Sequence, residues 1–243
     1  VTVLGQEPWV VALVAATLVV GAVVQGTVGL GLGLVSAPVV TLVAPALMPE
    51  LMLWLALFMA ASTLVTEREG PDWHGLGWSL PTRVPGTAVG VAIVAVATTR
   101  QIGLAVGLMV LLSVLLTARA VRLPVNRVTL PVAGFVSGVT GTTTSIGGPP
   151  LAILYQHARP GVLRPTMAVF FVVGAGMSLA GLGLVGALRL EVLALAVCLV
   201  PVLVLGIAIA VPVRRHLPAH HVRAGVLVVC ATSALALLVR SAV

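Results

Sequence analysis

Apolar residues fill this chain in long continuous blocks and do not alternate with polar ones, so bilayer-crossing helices are predicted rather than strands. Polar punctuation separates the blocks. Leu51–Thr66 is one predicted span, ended by the loop Glu67-Arg68-Glu69-Gly70-Pro71-Asp72. Leu76–Thr99 is the next, with Trp73 and Trp78 at interface height. Ile102–Ala118 follows, and then a basic stretch holding Arg119, Arg122 and Arg127. Three later spans are predicted at Pro165–Leu188, Val192–Val211 and Val222–Val239.

Two blocks cannot be smooth helices. Trp9–Pro49 is too long for one crossing, and its centre, Gln25–Pro38, is rich in glycine and ends in proline. Val128–Gln156 carries Gly138, Gly141, Gly147 and Gly148, each costing a helix about 1 kcal/mol against alanine, and then Pro149-Pro150. Irregular backbone at membrane depth persists only when it is buried in protein or lines a polar cavity. Each block therefore reads as a broken helical hairpin beside a polar site.

The halves align. Gly26, Gly29 and Pro38 match Gly138, Gly141 and Pro150 at one offset; Pro49, Ser62, Pro85 and Gly90 match Pro165, Ser178, Pro201 and Gly206 at another. An internal duplication is inferred. The first repeat covers residues 1–118, a cytoplasmic linker 119–127 and the second repeat 128–243. Each repeat is a broken Gly/Pro-rich hairpin followed by three transmembrane helices. The expected fold is an all-α polytopic membrane protein.

Charge sets the orientation. Thirteen arginines and no lysine give a net +7, and the loops at 67–75, 119–127, 157–164 and 212–223 hold most of them. Placing those loops in the cytoplasm satisfies the positive-inside rule and puts both termini outside. Each repeat then makes an odd number of crossings, so the two are inverted. No charged leader precedes the first span, which is expected to serve as the targeting signal. The arginines are too scattered for nucleic-acid binding. Cys198 and Cys230 read as small core residues.

Inverted repeats with interrupted segments in matching positions are the sequence sign of a secondary transporter. The six acids (Glu7, Glu50, Glu67, Glu69, Asp72 and Glu191) fall in loops or at span ends, which favours an anionic cargo. Candidate substrate-binding residues are Gln25, Gly29, Gly31, Gly33, Ser36, Arg83, Thr142, Thr143, Thr144, Ser145, Gly147 and Gly148, with Pro38, Pro149 and Pro150 shaping the breaks. Each has a second reading. The glycines serve close helix packing; Gln25 caps backbone freed by its glycines; Thr142–Ser145 bond back to helix carbonyls; Arg83, near its span's cytoplasmic end, snorkels to headgroups. Catalysis is not expected, because Ser145 has no His or Asp at depth to activate it. No metal or cofactor is expected, and His157, His216, His220 and His221 read as loop residues.

Gly29, Gly31, Gly33 and Pro38, with the later GGPPL at Gly147–Leu151, resemble the sulfite exporter TauE/SafE family of bacterial membrane proteins. The resemblance implies plasma-membrane transport, usually outward, of sulfite, sulfoacetate or related organosulfonates. It carries the motif to Gly29, Gly31, Gly33, Gly147, Gly148, Pro149 and Pro150. An anion channel, or an importer of another small anion, is the alternative.

Overall fold

Glycine and proline cut the apolar blocks where expected. The computed structural model describes residues 7–67, 69–118, 123–216 and 219–242, and among these the regular structure is helical. The first block becomes α1 (Pro8–Val28) and α2 (Leu32–Val43), followed by a 3-10 turn at Pro45–Leu47. The helices α3 (Glu50–Thr66), α4 (Trp73–Val96) and α5 (Thr99–Ala118) complete the first half. The second half repeats the order with α6 (Thr129–Thr144), α7 (Pro149–Tyr155), α8 (Pro160–Leu184), α9 (Leu190–His216) and α10 (Ala219–Ala242).

Among the described residues, α1, α4, α5, α8 and α9 are long and apolar enough to cross a bilayer. The returning arms α2 and α7 reach only about 18 Å and 10 Å, short of the roughly 30 Å hydrocarbon core. The protein is a multi-pass membrane protein turned inside out in the expected way. Leu108, Leu112, Val132, Phe135 and Leu205 face outward, while Ser36, Ser79, Thr142, Thr166 and Ser178 are buried.

Packing follows small residues. The most extensive pairing is α4 on α6. A Cβ on Gly86 would overlap the Phe135 carbonyl, and one on Gly134 the Ser79 carbonyl, so these glycines let the two backbones touch. As α4 packs on α6, α9 packs on α1; α3 lies against α8 and α5 against α10. Under the sequence alignment this set of pairs maps onto itself when the halves are exchanged.

Four expectations are corrected here. Pro38 does not end its segment but lies inside α2. Lacking an N–H, it leaves the Leu34 carbonyl without its helical donor, and the Cys230 thiol donates there at 3.4 Å. Arg164 is not a loop residue, because Pro160 starts α8 and carries Arg164 into its second turn. Helices also consume most of the 212–223 loop: Arg214 and Arg215 fall within α9 and Arg223 within α10. Their side chains, those of His220 and His221, and residues 68 and 119–122 lie outside the described set. Finally, Arg83 is about 15 Å along a helix of about 35 Å and 2% exposed, so it does not snorkel.

The ends are tied by side chains that catch helix-start amides. Glu50, 3% exposed, accepts the Arg189 backbone N–H at 2.9 Å and its Nε–H at 3.3 Å. In the other half, Thr166 Oγ1 accepts the Asp72 N–H at 2.9 Å. Asp72 caps α4 and accepts the Tyr155 hydroxyl at 2.6 Å. Burial alone would raise the Asp72 carboxyl pKa, but the bonds from Tyr155, Gly75 and His74 outweigh it and hold it below the usual value.

Candidate functional site

The first break opens at Gly29, whose φ of 88° is left-handed and suits glycine. Its N–H closes α1 on the Gln25 carbonyl at 2.8 Å. The Gln25 side chain crosses the gap, and Oε1 accepts the Leu32 N–H at 3.1 Å, capping α2. A Cβ on Gly31 would overlap the Val24 side chain.

The second break is less comfortable. Ser145 ends α6 at φ 61°, a conformation that costs a non-glycine residue about 1–3 kcal/mol. It is held there from the other half: its hydroxyl donates to the Pro49 carbonyl at 2.9 Å. Thr144 Oγ1 takes the freed Ile146 N–H at 3.2 Å.

The two breaks touch. A Cβ on Gly33 would sit 3.0 Å from the Ser145 carbonyl oxygen and 3.6 Å from Ile146 Cγ1. A cavity of about 40 Å³ lies at this junction, lined by Gln25, Gly31, Gly33, Ser145 and Gly148 among others. Gln25 and Phe171 also line a crevice of about 130 Å³ that runs between α1 and α3 of the first half and α8 and α9 of the second. Together they have room for several waters or a small ion with some of its hydration.

The crevice is polar at its rim, where Thr63, Thr66, Glu67 and Arg164 line it. Arg164 is half-buried. Its Nη2 donates to the Thr27 carbonyl at 2.7 Å, at the C-terminal end of α1, and its Nη1 lies 3.6 Å from Glu67 Oε1. With Gln25 Oε1 spent on Leu32, the Nε2 amide is left as a neutral donor at the floor. A guanidinium at the rim and an amide below it suit an anion.

Comparison with known families decides the class. The model described as Sulfite exporter TauE/SafE matches residues 13–237, nearly the whole chain. The chain belongs to this family. It is thus a membrane transport protein of the sulfite-exporter type. No curated protein and no solved structure matches it.

Of the residues picked from sequence, this TauE/SafE protein brings Gln25, Gly29, Gly31, Gly33, Ser145, Gly148 and Pro149 to the crevice and junction. The others stand elsewhere. Ser36 is buried and donates to the Thr17 carbonyl at 3.0 Å. Thr142 bonds the Gly138 carbonyl and pairs with Ser178, both at 2.8 Å. Thr143 and Thr144 bond back to the Val139 and Thr140 carbonyls at 2.9 and 2.7 Å. Pro150 lies in the first turn of α7. Gly147 and Arg83 meet on the far side of the break from the cavity. Sequence reasoning missed Arg164 as a lining residue, and the signal was present: a proline at 160 places residue 164 on a helix.

Proposed function

We propose that the protein is a secondary transporter exporting small sulfur-containing anions, such as sulfite, sulfoacetate or related organosulfonates, across the bacterial plasma membrane by alternating access. The single observation that carries this reading is the contact of the two breaks, Gly33 against the Ser145 carbonyl, at the floor of a crevice rimmed by Arg164.

The repeats over 1–118 and 128–243, joined by the linker 119–127, form an inverted pair in this reading. The self-mapping helix pairs support it, as does the matching capture of an amide by Glu50 in one half and Thr166 in the other. With the arginine-bearing loops in the cytoplasm and the termini outside, the crevice opens inward. An anion drawn from the cytoplasm passes Arg164, sheds water against Gln25, and reaches the junction beside the N-terminus of α2, whose dipole favours negative charge. Export follows when the halves rock about the junction.

Ion coupling is unnecessary. The buried carboxylate Glu50 is already neutralised by Arg189 at a helix end, and among the described residues no acid lines the crevice below Glu67. An anion leaving an inside-negative cell moves downhill by about 2.3 kcal/mol per charge per 100 mV. The test is efflux from proteoliposomes under a potassium–valinomycin potential with no pH gradient. Sulfite flux should follow the imposed potential. Flux that ignores it and follows a pH gradient would refute potential-driven export, and non-saturating flux would indicate a channel.

A further inference from the structure

Arg83 is unexplained by the crevice. It is 2% exposed, and no carboxylate among the described residues pairs with it. Of its five N–H donors, one makes a hydrogen bond among the described residues: Nη1 to the Phe170 carbonyl, long at 3.4 Å. The Phe170 ring lies 4.3 Å from Cζ. Nε has no partner. A lone long bond and one ring do not offset the burial of a guanidinium.

Its neighbours share the deficit. Ser79 and Thr87 stand four residues before and after Arg83, on the same face of α4, and that helix packs on α6, which carries Ser137. All three hydroxyls are at least nine-tenths buried, and all three lack a hydrogen-bond partner among the described residues. The fold nevertheless makes room for the cation. A Cβ on Gly174 would overlap Arg83 Cζ, and a Cβ on Gly141 or Gly147 would sit 3.0 or 3.2 Å from Nη2.

We propose that Arg83, with the Thr87 and Ser137 hydroxyls, forms a buried binding site for a small inorganic anion, either an oxyanion or a halide. An acceptor-only, negatively charged ligand satisfies the donors of Arg83, Thr87 and Ser137 and neutralises the guanidinium, whereas Ser79, about 12 Å along α4 from Thr87, lies beyond its reach. A cation would be repelled, and a neutral ligand would leave the charge uncompensated. The site is separate from the crevice: Gly147 faces Arg83, whereas Gly148 lines the junction cavity, so the Ser145–Gly148 break is the wall between them. The inference rests on these unpartnered atoms and holds whether or not the crevice is the transport route.

The experiment uses the full chain in lipid nanodiscs, exchanged into gluconate and titrated with bromide, sulfate or sulfite while the unfolding temperature and binding heat are followed. Bromide should stabilise both the wild type and Arg164→Gln, because the crevice residue is not involved. Arg83→Gln should lose the bromide-dependent shift. Should Arg83→Gln fail to fold, the double variant Thr87→Val/Ser137→Ala keeps the packing and should bind about ten-fold more weakly. Sulfite that displaces bromide would make the ligand the transported anion in passage, and bromide retained against sulfite would make it a resident ion; either outcome supports the site. Absence of stabilisation by any of these anions in the wild type overturns it. So does an undiminished shift in folded Arg83→Gln, or unchanged affinity in the double variant.

Discussion

Replacing Arg164 by glutamine, and separately Glu67 by glutamine, should move substrate affinity in opposite directions. Arg164 is 13% exposed at the crevice rim and is shared between the Thr27 carbonyl at 2.7 Å and Glu67 at 3.6 Å. The ion pair is loose and partly wet, so its own contribution to stability is below about 1 kcal/mol. A substrate anion would compete with Glu67 for the same guanidinium. Arg164→Gln removes a charge-assisted bond of about 1.5–3 kcal/mol, so apparent affinity should fall about ten- to hundred-fold. Glu67→Gln removes the internal competitor while sparing the fold, and affinity should rise several-fold. The assay is the concentration dependence of labelled sulfite uptake into proteoliposomes, with unfolding temperatures measured alongside. Wild-type affinity in a folded Arg164→Gln protein would refute the crevice as the entry route. Loss of affinity in both variants would show that the pair merely holds the end of α3 to α8.

Three further outcomes are expected. Gly134→Ala drives a Cβ into the Ser79 carbonyl between α4 and α6, and should lower stability by about 1–3 kcal/mol in a thermal unfolding assay. Thr143→Val removes a donor already committed to a helix carbonyl, so sulfite affinity should stay near wild type; a loss of about ten-fold would put this hydroxyl on the substrate. Cysteines at Gly33 and Ile146, where a Cβ and Cγ1 come within 3.6 Å, should be joined by a short bifunctional reagent, and the cross-link should stop transport.

The breaks were legible because backbone chemistry announces them: no smooth helix accommodates Gly29–Gly33 or Gly147–Pro150. Their register was less legible. Gly141 aligns with Gly29, yet α6 stays helical for three residues beyond it and turns only at Ser145, because the Pro49 carbonyl from the other half holds that serine in a left-handed conformation. Local sequence does not contain that partner. The same holds for Pro38, which lies inside α2 and whose freed Leu34 carbonyl is taken by Cys230, far along the chain. The depth of Arg83 depends on glycines from three segments, and snorkelling could be discarded only once they were seen to surround it. The hydroxyl run drew attention as a cluster, but on the last turn of a helix such residues find carbonyls of their own.

The central claim is that a small sulfur-containing anion passes between the halves at the junction of the two breaks. Counterflow of labelled sulfite in proteoliposomes, against a panel of sulfonates and with the Gly33–Ile146 cross-link as the switch, tests it most directly. The account predicts saturable exchange, accelerated by unlabelled sulfite or a sulfonate on the opposite side and stopped when the cross-link forms. Exchange that continues undiminished through fully cross-linked protein would contradict it.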